Sequence, residues 1–223
     1  MHVAHRGVQL LEVVVSGLSV HAAMKWKGVN AIEKAIKIIE GLKELERKWL
    51  ATKICNYVPR PTITIGVING GIGATIVPDK CILRFDIKMV AADLDEENGA
   101  SLIRKEVEDC INRTCLGDEW LSKNKPILKW CCDVTAYENK EISGFKYFFK
   151  NCEEILGNCI ISGSPGGSDA RILGNFGKIP TILFGPGSLS VGGPHSVNEC
   201  VEIDQYINHL KIMAISIYEF LNE

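Results

Sequence analysis

A glycine-rich loop followed by a fixed positive charge is the part of this sequence whose residue types most directly suggest chemistry. Residues 165–171 run Pro-Gly-Gly-Ser-Asp-Ala-Arg, and His195 begins a His-Ser-Val-Asn-Glu segment further along. Between them lies Phe-Gly-Pro-Gly at 184–187, a tight loop after a short apolar run. Glycines let a backbone approach a ligand closely, and a guanidinium binds a carboxylate through two parallel hydrogen bonds. With a histidine close to the carboxylate of Glu199, this pattern suits a site that holds an anionic substrate beside a metal ion.

The other ligands of such a metal site are not evident in the sequence. No His-x-Asp pair and no dense cluster of metal ligands occurs. A catalytic zinc ion needs three protein ligands besides its water, so His195 by itself would bind zinc weakly. The sequence therefore predicts one part of an active site.

The first two thirds of the chain predict a closed α+β unit. Alternating or β-branched runs predict strands, and apolar residues at helical spacing predict two amphipathic helices. The order is strand 9–15, helix 28–50, strand 62–68, strand 76–89, helix 95–115 and strand 126–134. This βαββαβ order is typical of a ferredoxin-like domain with two helices on one face of an antiparallel sheet. We predict this domain over residues 8–136.

The remaining residues, 137–223 together with 1–7, have the alternating helices and short apolar strands of an α/β layer. The predicted elements are helix 142–156, strand 158–162, helix 169–176, strand 181–184 and helix 203–221. Two strands make a poor parallel sheet, because such a sheet needs neighbours and cover on both faces. The segment is therefore predicted to be the end of a larger domain.

Composition argues against several classes of function. The formal net charge of -2 gives no electrostatic reason to expect binding to nucleic acid or to an acidic membrane. No apolar run approaches the roughly 20 residues that a membrane span needs. Nine cysteines without C-x-x-C spacing are typical of reduced thiols, and the sequence predicts a cytoplasmic protein.

Several short motifs, in order along nearly the whole chain, resemble one known family. They are Ala-His-Arg-Gly at 4–7, Gly-Leu-Ser-Val-His-Ala at 17–22, Gly-Val-Asn-Ala-Ile at 28–32, Gly-Gly at 70–71, Val-Pro-Asp at 77–79, and the three segments described first. The sequence is similar to the di-zinc acetylornithine deacetylase, succinyl-diaminopimelate desuccinylase and carboxypeptidase–aminoacylase family. The resemblance implies a ferredoxin-like lid and dimerisation domain, followed by the C-terminal part of an α/β zinc-peptidase catalytic domain.

The resemblance also implies roles for individual residues. His21 would reach the reaction centre of a neighbouring subunit and polarise the scissile carbonyl. Arg171 would hold a substrate carboxylate, with Gly167, Ser168 and Asp169 around it, and His195 would be a zinc ligand. The family's His-x-Asp motif, bridging aspartate, Glu-Glu pair and remaining acidic ligand would all lie upstream of Met1.

The sequence departs from the family pattern at four places. Ala23 and Lys25 stand where Ser and Pro are frequent, Thr75 where Asn is common and Lys88 where Arg is common. Thr75 and Lys88 correspond to positions near the substrate, so these departures leave the acyl group and the amine open.

Each candidate has a purely structural alternative. His21 and His195 could be solvated histidines, Arg171 could form an ion pair or cap a helix, and Asp169 could be a helix N-cap. Glu199 is better explained as a structural carboxylate than as the general base, because the resemblance places that base upstream.

Two functions remain open at this stage. The first is a homodimeric amide hydrolase that uses two zinc ions (or cobalt or manganese) on an N-acyl amino acid or dipeptide. The second is a non-catalytic dimerisation and ligand-binding fragment, or half of a split enzyme whose N-terminal half is a separate chain. Because one ligand cannot assemble a dinuclear site, we expect this chain to be inactive alone.

Overall fold

The computed structural model describes residues 1–187, 193 and 196–223. It is a mixed α/β structure with two sheets. Its contacts divide it into one unit of residues 5–137 with 165–168, and another of 1–4, 138–164 and 169–223.

The strands are β1 (His2–His5), β2 (Gly7–Ser16), β3 (Thr62–Gly70), β4 (Lys80–Met89), β5 (Ile127–Val134), β6 (Tyr137–Glu138) and β7 (Ser162–Ser164). The α-helices are α1 (Ala31–Thr52), α2 (Ser101–Leu116), α3 (Glu119–Lys123), α4 (Lys146–Leu156) and α5 (Ile203–Leu221). The predicted order of strands and helices between residues 9 and 134 is therefore present, with α3 added.

The unit of residues 5–137 is built on a four-stranded antiparallel sheet. Its strand order is β3-β4-β2-β5, so consecutive strands β2 and β3 are not neighbours. Alternate residues of β2 and β4 are buried, as period-two side-chain alternation requires. They pack with residues of α1 and α2 in one hydrophobic core, so one face of the sheet is covered by helices.

Helix α1 was predicted to begin at Gly28 but begins at Ala31, directly after its N-cap residue Asn30. The Asn30 side chain accepts hydrogen bonds from the backbone N–H groups of Ile32 (2.9 Å) and Glu33 (3.3 Å). An N-cap side chain of this kind satisfies backbone donors that a helix start leaves open. Residues 22–27, just before it, instead form a short 3-10 segment.

Helix α3 was not predicted from the sequence, because five residues are too few for a periodic pattern. Asp118 starts it by accepting from the N–H groups of Trp120 and Leu121, each at 3.0 Å. The same buried carboxylate forms ion pairs with Lys34 (2.8 Å) and Lys37 (2.7 Å) of α1. Asp118 thus ties α3 to α1.

The second unit departs more from the predicted elements. Its sheet has the order β6-β1-β7, and β1 was not predicted. The strand predicted over residues 158–162 is β7, which starts only at Ser162, and the strand predicted over 181–184 is reduced to one antiparallel bridge between His2 and Leu183. The helix predicted over 169–176 is a single π-type turn, Ile172–Phe176, whereas α5 has the predicted bounds. Short strands depend on partners far along the chain, and local patterns do not encode them.

None of the helices described is long and apolar enough to cross a membrane.

Candidate active site

His21 lies at the start of the 3-10 segment of residues 22–27, on the surface. Its Nδ1 accepts a hydrogen bond from the backbone N–H of Ala23 at 3.1 Å. In a neutral imidazole the nitrogen that accepts is unprotonated, so the proton is on Nε2. The ring is therefore oriented by its own loop, and its Nε2–H is left as a hydrogen-bond donor.

The loop that carries His21 is closed at both ends by backbone hydrogen bonds. Leu18 and Val29 exchange N–H···O bonds of 2.8 and 3.0 Å across its base. On the other side, the N–H of Ala22 donates to the carbonyl of Thr75 at 2.8 Å, and His21 forms a bridge with Ile76. The structure therefore brings His21 and Thr75 together.

Two apolar side chains on this loop were missed by the sequence analysis. Trp26 is 78% exposed and Met24 is 42% exposed. The available signal was a tryptophan between two lysines, Lys25 and Lys27, so close to the candidate histidine. Large exposed side chains on a closed loop beside His21 are candidates for contact with a ligand or with another chain.

Lys88 lies near the end of β4, between Val8 of β2 and Thr62 of β3. It is half-buried, and its Nζ contacts Oδ2 of Asp86 at 3.0 Å. The candidate cation is therefore held by a carboxylate two residues away on the same strand.

The glycine loop approaches this same end of the sheet. A Cβ added to Gly167 would lie 2.8 Å from Cγ1 of Val134 and 3.6 Å from the carbonyl oxygen of Arg6. Arg6 in turn donates from Nε to the carbonyl of Pro165 at 3.1 Å. Since Val8 pairs with both Lys88 and Val134, the structure places Lys88, Gly167 and Ser168 at one end of the sheet.

Arg171 immediately precedes the π-type turn Ile172–Phe176 and is half-buried. Within the part of the chain that the structure describes, its guanidinium has no ion-pair or hydrogen-bond partner. Asp169 is exposed, and its carbonyl oxygen, not its carboxylate, accepts from the N–H of Ile172 at 2.8 Å.

His195 lies outside the described residues. Glu199, four residues further along, is exposed, and its backbone N–H donates to the carbonyl of Ser196 at 3.2 Å. Over residues 1–187, 193 and 196–223, no group of three possible metal ligands occurs. Two adjacent pairs of glutamates, Glu96-Glu97 and Glu153-Glu154, do occur in the sequence, but neither belongs to such a group.

The sequence profile of one family, described as a peptidase dimerisation domain (M20), matches residues 3–119. The chain is 33% identical over 207 residues to N-formyl-4-amino-5-aminomethyl-2-methylpyrimidine deformylase of Bacillus subtilis, a match that covers 87% of the chain and 47% of that protein. It is 23% identical to a probable succinyl-diaminopimelate desuccinylase of Staphylococcus aureus, covering all of the chain and 58% of that protein.

Solved structures show the same fold. The aminopeptidase PepT of Bacillus cereus superposes with a TM-score of 0.71 at 19% identity, covering 98% of this chain and 53% of PepT. A tripeptidase of Staphylococcus aureus superposes with a TM-score of 0.65 at 23% identity, over 98% of this chain and 52% of the tripeptidase. The chain thus spans about half the length of the proteins that it matches.

Proposed function

Because the chain belongs to the M20 peptidase family through its dimerisation domain, we propose that it supplies the dimerising and substrate-binding part of an amide hydrolase. The relatives named above are a deformylase, a desuccinylase and peptidases, all of which hydrolyse amide bonds.

One observation carries the proposal: His21 with Thr75, and Lys88 with Gly167, lie at opposite ends of one sheet. Strand β2 runs from Val8, paired with Lys88, to Ser16, paired with Lys80 on the side of the His21 loop. Eight residue steps along a strand span roughly 26 Å. One chain cannot bring both ends to one scissile bond. A composite site, in which His21 comes from a second copy, accounts for both ends.

The lid of this composite enzyme is the ferredoxin-like domain. The βαββαβ element order, the strand order β3-β4-β2-β5 and the single helix-covered face support that assignment. Strand β3 is an edge whose last five residues are exposed, including Ile68 at 57%. We propose that this edge forms the homodimer interface, since exposed strand edges pair readily with another chain.

The chemistry of this chain's own residues follows from their geometry. The Nε2–H of His21 is oriented to donate to the oxygen on which negative charge develops as the amide carbonyl is attacked. Arg171, without a protein partner among the described residues, binds a carboxylate where the substrate has one. The described residues do not form a zinc site, so the ligands that would join His195 have to come from another polypeptide segment.

The substrate is an amide with a small acyl group. An N-acyl amino acid or dipeptide would use Arg171 for its carboxylate. The named deformylase, at 33% identity, favours a formyl group on an aminomethylpyrimidine, which has no carboxylate. The nine cysteines, all thiols, support a reducing compartment such as the cytoplasm.

A second candidate function is a half-enzyme or non-catalytic fragment that needs a separate N-terminal half. The observation that favours it is the surface of α5, where Ile212 and Ser216 are the buried residues. Ile203, Ile217 and Phe220 are among its exposed apolar side chains. A helix this apolar normally packs on both sides, and the relatives are twice as long.

The experiment compares the chain alone with a joined protein, in which the N-terminal part of the Bacillus subtilis deformylase precedes this chain. Bound zinc is measured by competition with a chelating dye, and amide hydrolysis is measured on the N-formyl pyrimidine and on an N-acyl amino acid. We expect neither tight zinc nor activity from the chain alone, and zinc-dependent hydrolysis from the joined protein.

Matched variants locate the function. His21→Ala in the joined protein should lower hydrolysis about a hundredfold and retain zinc, whereas Lys43→Ala, on the exposed face of α1, should retain both. Tight zinc in the chain alone that is lost in His195→Ala would show a complete site and overturn the proposal. A folded, zinc-loaded but inactive joined protein would favour the non-catalytic fragment.

A further inference from the structure

The Ala-His-Arg-Gly motif at residues 4–7 has no role in the function proposed above, and its arginine lies against the glycine loop. The Nε of Arg6 donates to the carbonyl of Pro165 at 3.1 Å, and its Nη1 donates to the carbonyl of Arg60 at 3.5 Å. The carbonyl oxygen of Arg6 would lie 3.6 Å from a Cβ on Gly167. Arg6 therefore approaches the loop with both its side chain and its backbone.

The loop that receives this hydrogen bond contains two adjacent glycines. Glycine loses more conformational freedom on ordering than any other residue, and a Cβ on Gly166 would meet nothing within 4 Å. The peptide group between Pro165 and Gly166 is planar. A hydrogen bond that holds the carbonyl of Pro165 therefore also sets the direction of the N–H of Gly166.

The backbone that carries the Arg6 guanidinium is held by the sheet. Arg6 directly precedes β2, whose first residue, Gly7, pairs with Met89 of β4. A Cβ on Gly7 would lie 2.5 Å from the carbonyl oxygen of Val134, so β2 is closely packed where it begins. The second acceptor, Arg60, stands between two prolines, whose rings restrict φ. Arg6 thus joins the glycine loop to the end of the sheet and to the Pro-Arg-Pro segment before β3.

We propose that Arg6 is a positioning residue of the amide hydrolase, which holds the carbonyl of Pro165 so that residues 166–168 keep one backbone conformation beside the substrate. The inference rests on the proposed function, in which this loop binds the substrate. A guanidinium donates from Nε and Nη1 in one fixed plane, a geometry that a lysine ammonium does not reproduce. Because Arg6 acts through the loop backbone, both substrate classes depend on it, whereas Arg171 acts on a carboxylate alone.

The first measurement uses the chain itself and needs no activity. Amide hydrogen exchange of segment 164–168 is followed by mass spectrometry in the wild type, in Arg6→Ala and in the control Arg47→Ala, which removes an exposed arginine paired with Glu44 on α1. We expect exchange in this segment to be about tenfold faster in Arg6→Ala and unchanged in the control. Exchange of the α2 amides and circular dichroism report that each variant is folded.

The second measurement uses the joined protein and both substrates, the N-formyl pyrimidine and an N-acyl amino acid. Arg6→Ala should lower kcat/KM for both by a similar factor, roughly ten- to a hundredfold, as misplacement of a substrate-binding group does. Millimolar guanidinium chloride should restore much of the loss in Arg6→Ala, and sodium chloride at the same concentration should restore none. Guanidinium is a denaturant, so it would not rescue a variant that is merely destabilised.

The outcomes separate this proposal from the proposed function. Unchanged exchange of segment 164–168 in a folded Arg6→Ala protein overturns the role of Arg6, whether or not the joined protein is active. Faster exchange with unchanged kcat/KM also overturns it, because the reaction would then not depend on the held loop. A wild-type joined protein that hydrolyses neither substrate contradicts the proposed function and the positioning role with it, while the exchange result still reports whether Arg6 holds the loop.

Discussion

The carbonyl oxygen of Thr75 accepts a hydrogen bond of 2.8 Å from the N–H of Ala22, and this bond fixes the start of the His21 loop against the turn before β4. Two other candidate residues of the same unit, Lys88 and Gly167, lie at the opposite end of β2, where Lys88 pairs with Val8 and Gly167 approaches Val134. The register of β2 with β4 separates the two groups along one sheet. The consequences for a homodimer can be measured.

The first prediction concerns complementation between subunits. In the joined protein, we expect His21→Ala to lower kcat about a hundredfold, as loss of a group that stabilises the oxyanion does. Lys88→Ala should lower kcat/KM about tenfold, through loss of a charged contact. When the two impaired variants exchange subunits, half of the dimers are mixed, and each has one intact site in a two-fold symmetric arrangement. Activity should return to about one quarter of the wild type.

Gel filtration of the mixture, with one variant tagged, measures the fraction of mixed dimers. If mixed dimers form but activity stays at the mean of the two variants, the residues act within one chain and the composite site is wrong.

The second prediction distinguishes the two substrate classes. Arg171→Ala in the joined protein should raise KM for an N-acyl amino acid, since loss of a charge-assisted pair of hydrogen bonds costs about 1.5–3 kcal/mol, or roughly ten- to a hundredfold. KM for the N-formyl aminomethylpyrimidine should be unchanged, because that substrate has no carboxylate. Steady-state kinetics on both substrates give the comparison. Lys178→Ala is the control for loss of a nearby positive charge, and an equal effect of Arg171→Ala on both substrates would show a structural role.

The third prediction tests the contact between the glycine loop and the sheet. Gly167→Ala would place a Cβ 2.8 Å from Cγ1 of Val134 and should destabilise the chain by about 1–3 kcal/mol, as overpacking does. A Cβ at Gly166 meets nothing within 4 Å, so Gly166→Ala is the matched control and should be neutral or slightly stabilising. Urea unfolding measures the change in the free energy of unfolding for each of the two variants.

The clash should be relieved when its other partner is shortened. Val134→Ala in the Gly167→Ala background should recover stability relative to the sum of the single variants, with a coupling of about 1 kcal/mol. Additive effects would mean that the loop moves away from β5 without cost.

The order of strands and helices between residues 9 and 134 was predictable because its signals are local and repeated. The alternation of more and less buried residues in β2 extends over several residue pairs. The apolar stripe of α1 extends over several helical turns. The bounds were less predictable: the start of α1 is set by the Asn30 cap, which overrides the earlier apolar pattern. The second unit was poorly predicted, since β1 exists through pairing with β6 and β7, and a four-residue strand has no pattern of its own.

The candidate site residues were predicted one by one from motifs. Their separation into one group near His21 and another near Lys88 was not predicted. The distance between the His21 loop and Lys88 follows from the register of β2 with β4, which spacing in sequence does not give. The contact of Gly167 with Val134 joins residues far apart in the chain for the same reason. Trp26 was missed because a single exposed aromatic residue leaves no periodic signal.

The fourth prediction tests the proposed dimer edge. Ile68→Asp places a charge on the exposed end of β3, and charges on an edge strand oppose pairing. We expect the Kd of the dimer to rise tenfold or more. A tenfold rise corresponds to a loss of about 1.4 kcal/mol in the free energy of association. Sedimentation velocity measures it. Leu116→Asp, which changes an exposed apolar residue at the end of α2, should leave the dimer intact; equal effects would place the interface elsewhere.

The fifth prediction concerns acid stability through Asp118. Burial alone would raise the pKa of its carboxyl group, but hydrogen bonds from Lys34 and Lys37, and from the N–H of Leu121, outweigh it and hold the pKa well below its usual range. An unfolded aspartate has a pKa of about 3.9, so the folded state binds fewer protons than the unfolded state below that pH. The stabilisation is therefore complete above about pH 4 to 5 and is lost as the pH falls towards the folded pKa.

Asp118→Asn removes this term, and we expect it to lower the free energy of unfolding by about 1–3 kcal/mol at pH 7, as loss of hydrogen bonds to a charged group does. The difference from wild type should shrink below pH 4, where the wild type loses the same stabilisation. Urea unfolding at pH 7, 5 and 3 measures it, with Asp109→Asn on the exposed face of α2 as control. A difference that stays constant across this range would mean that Asp118 acts through its cap and packing and that its charge contributes little.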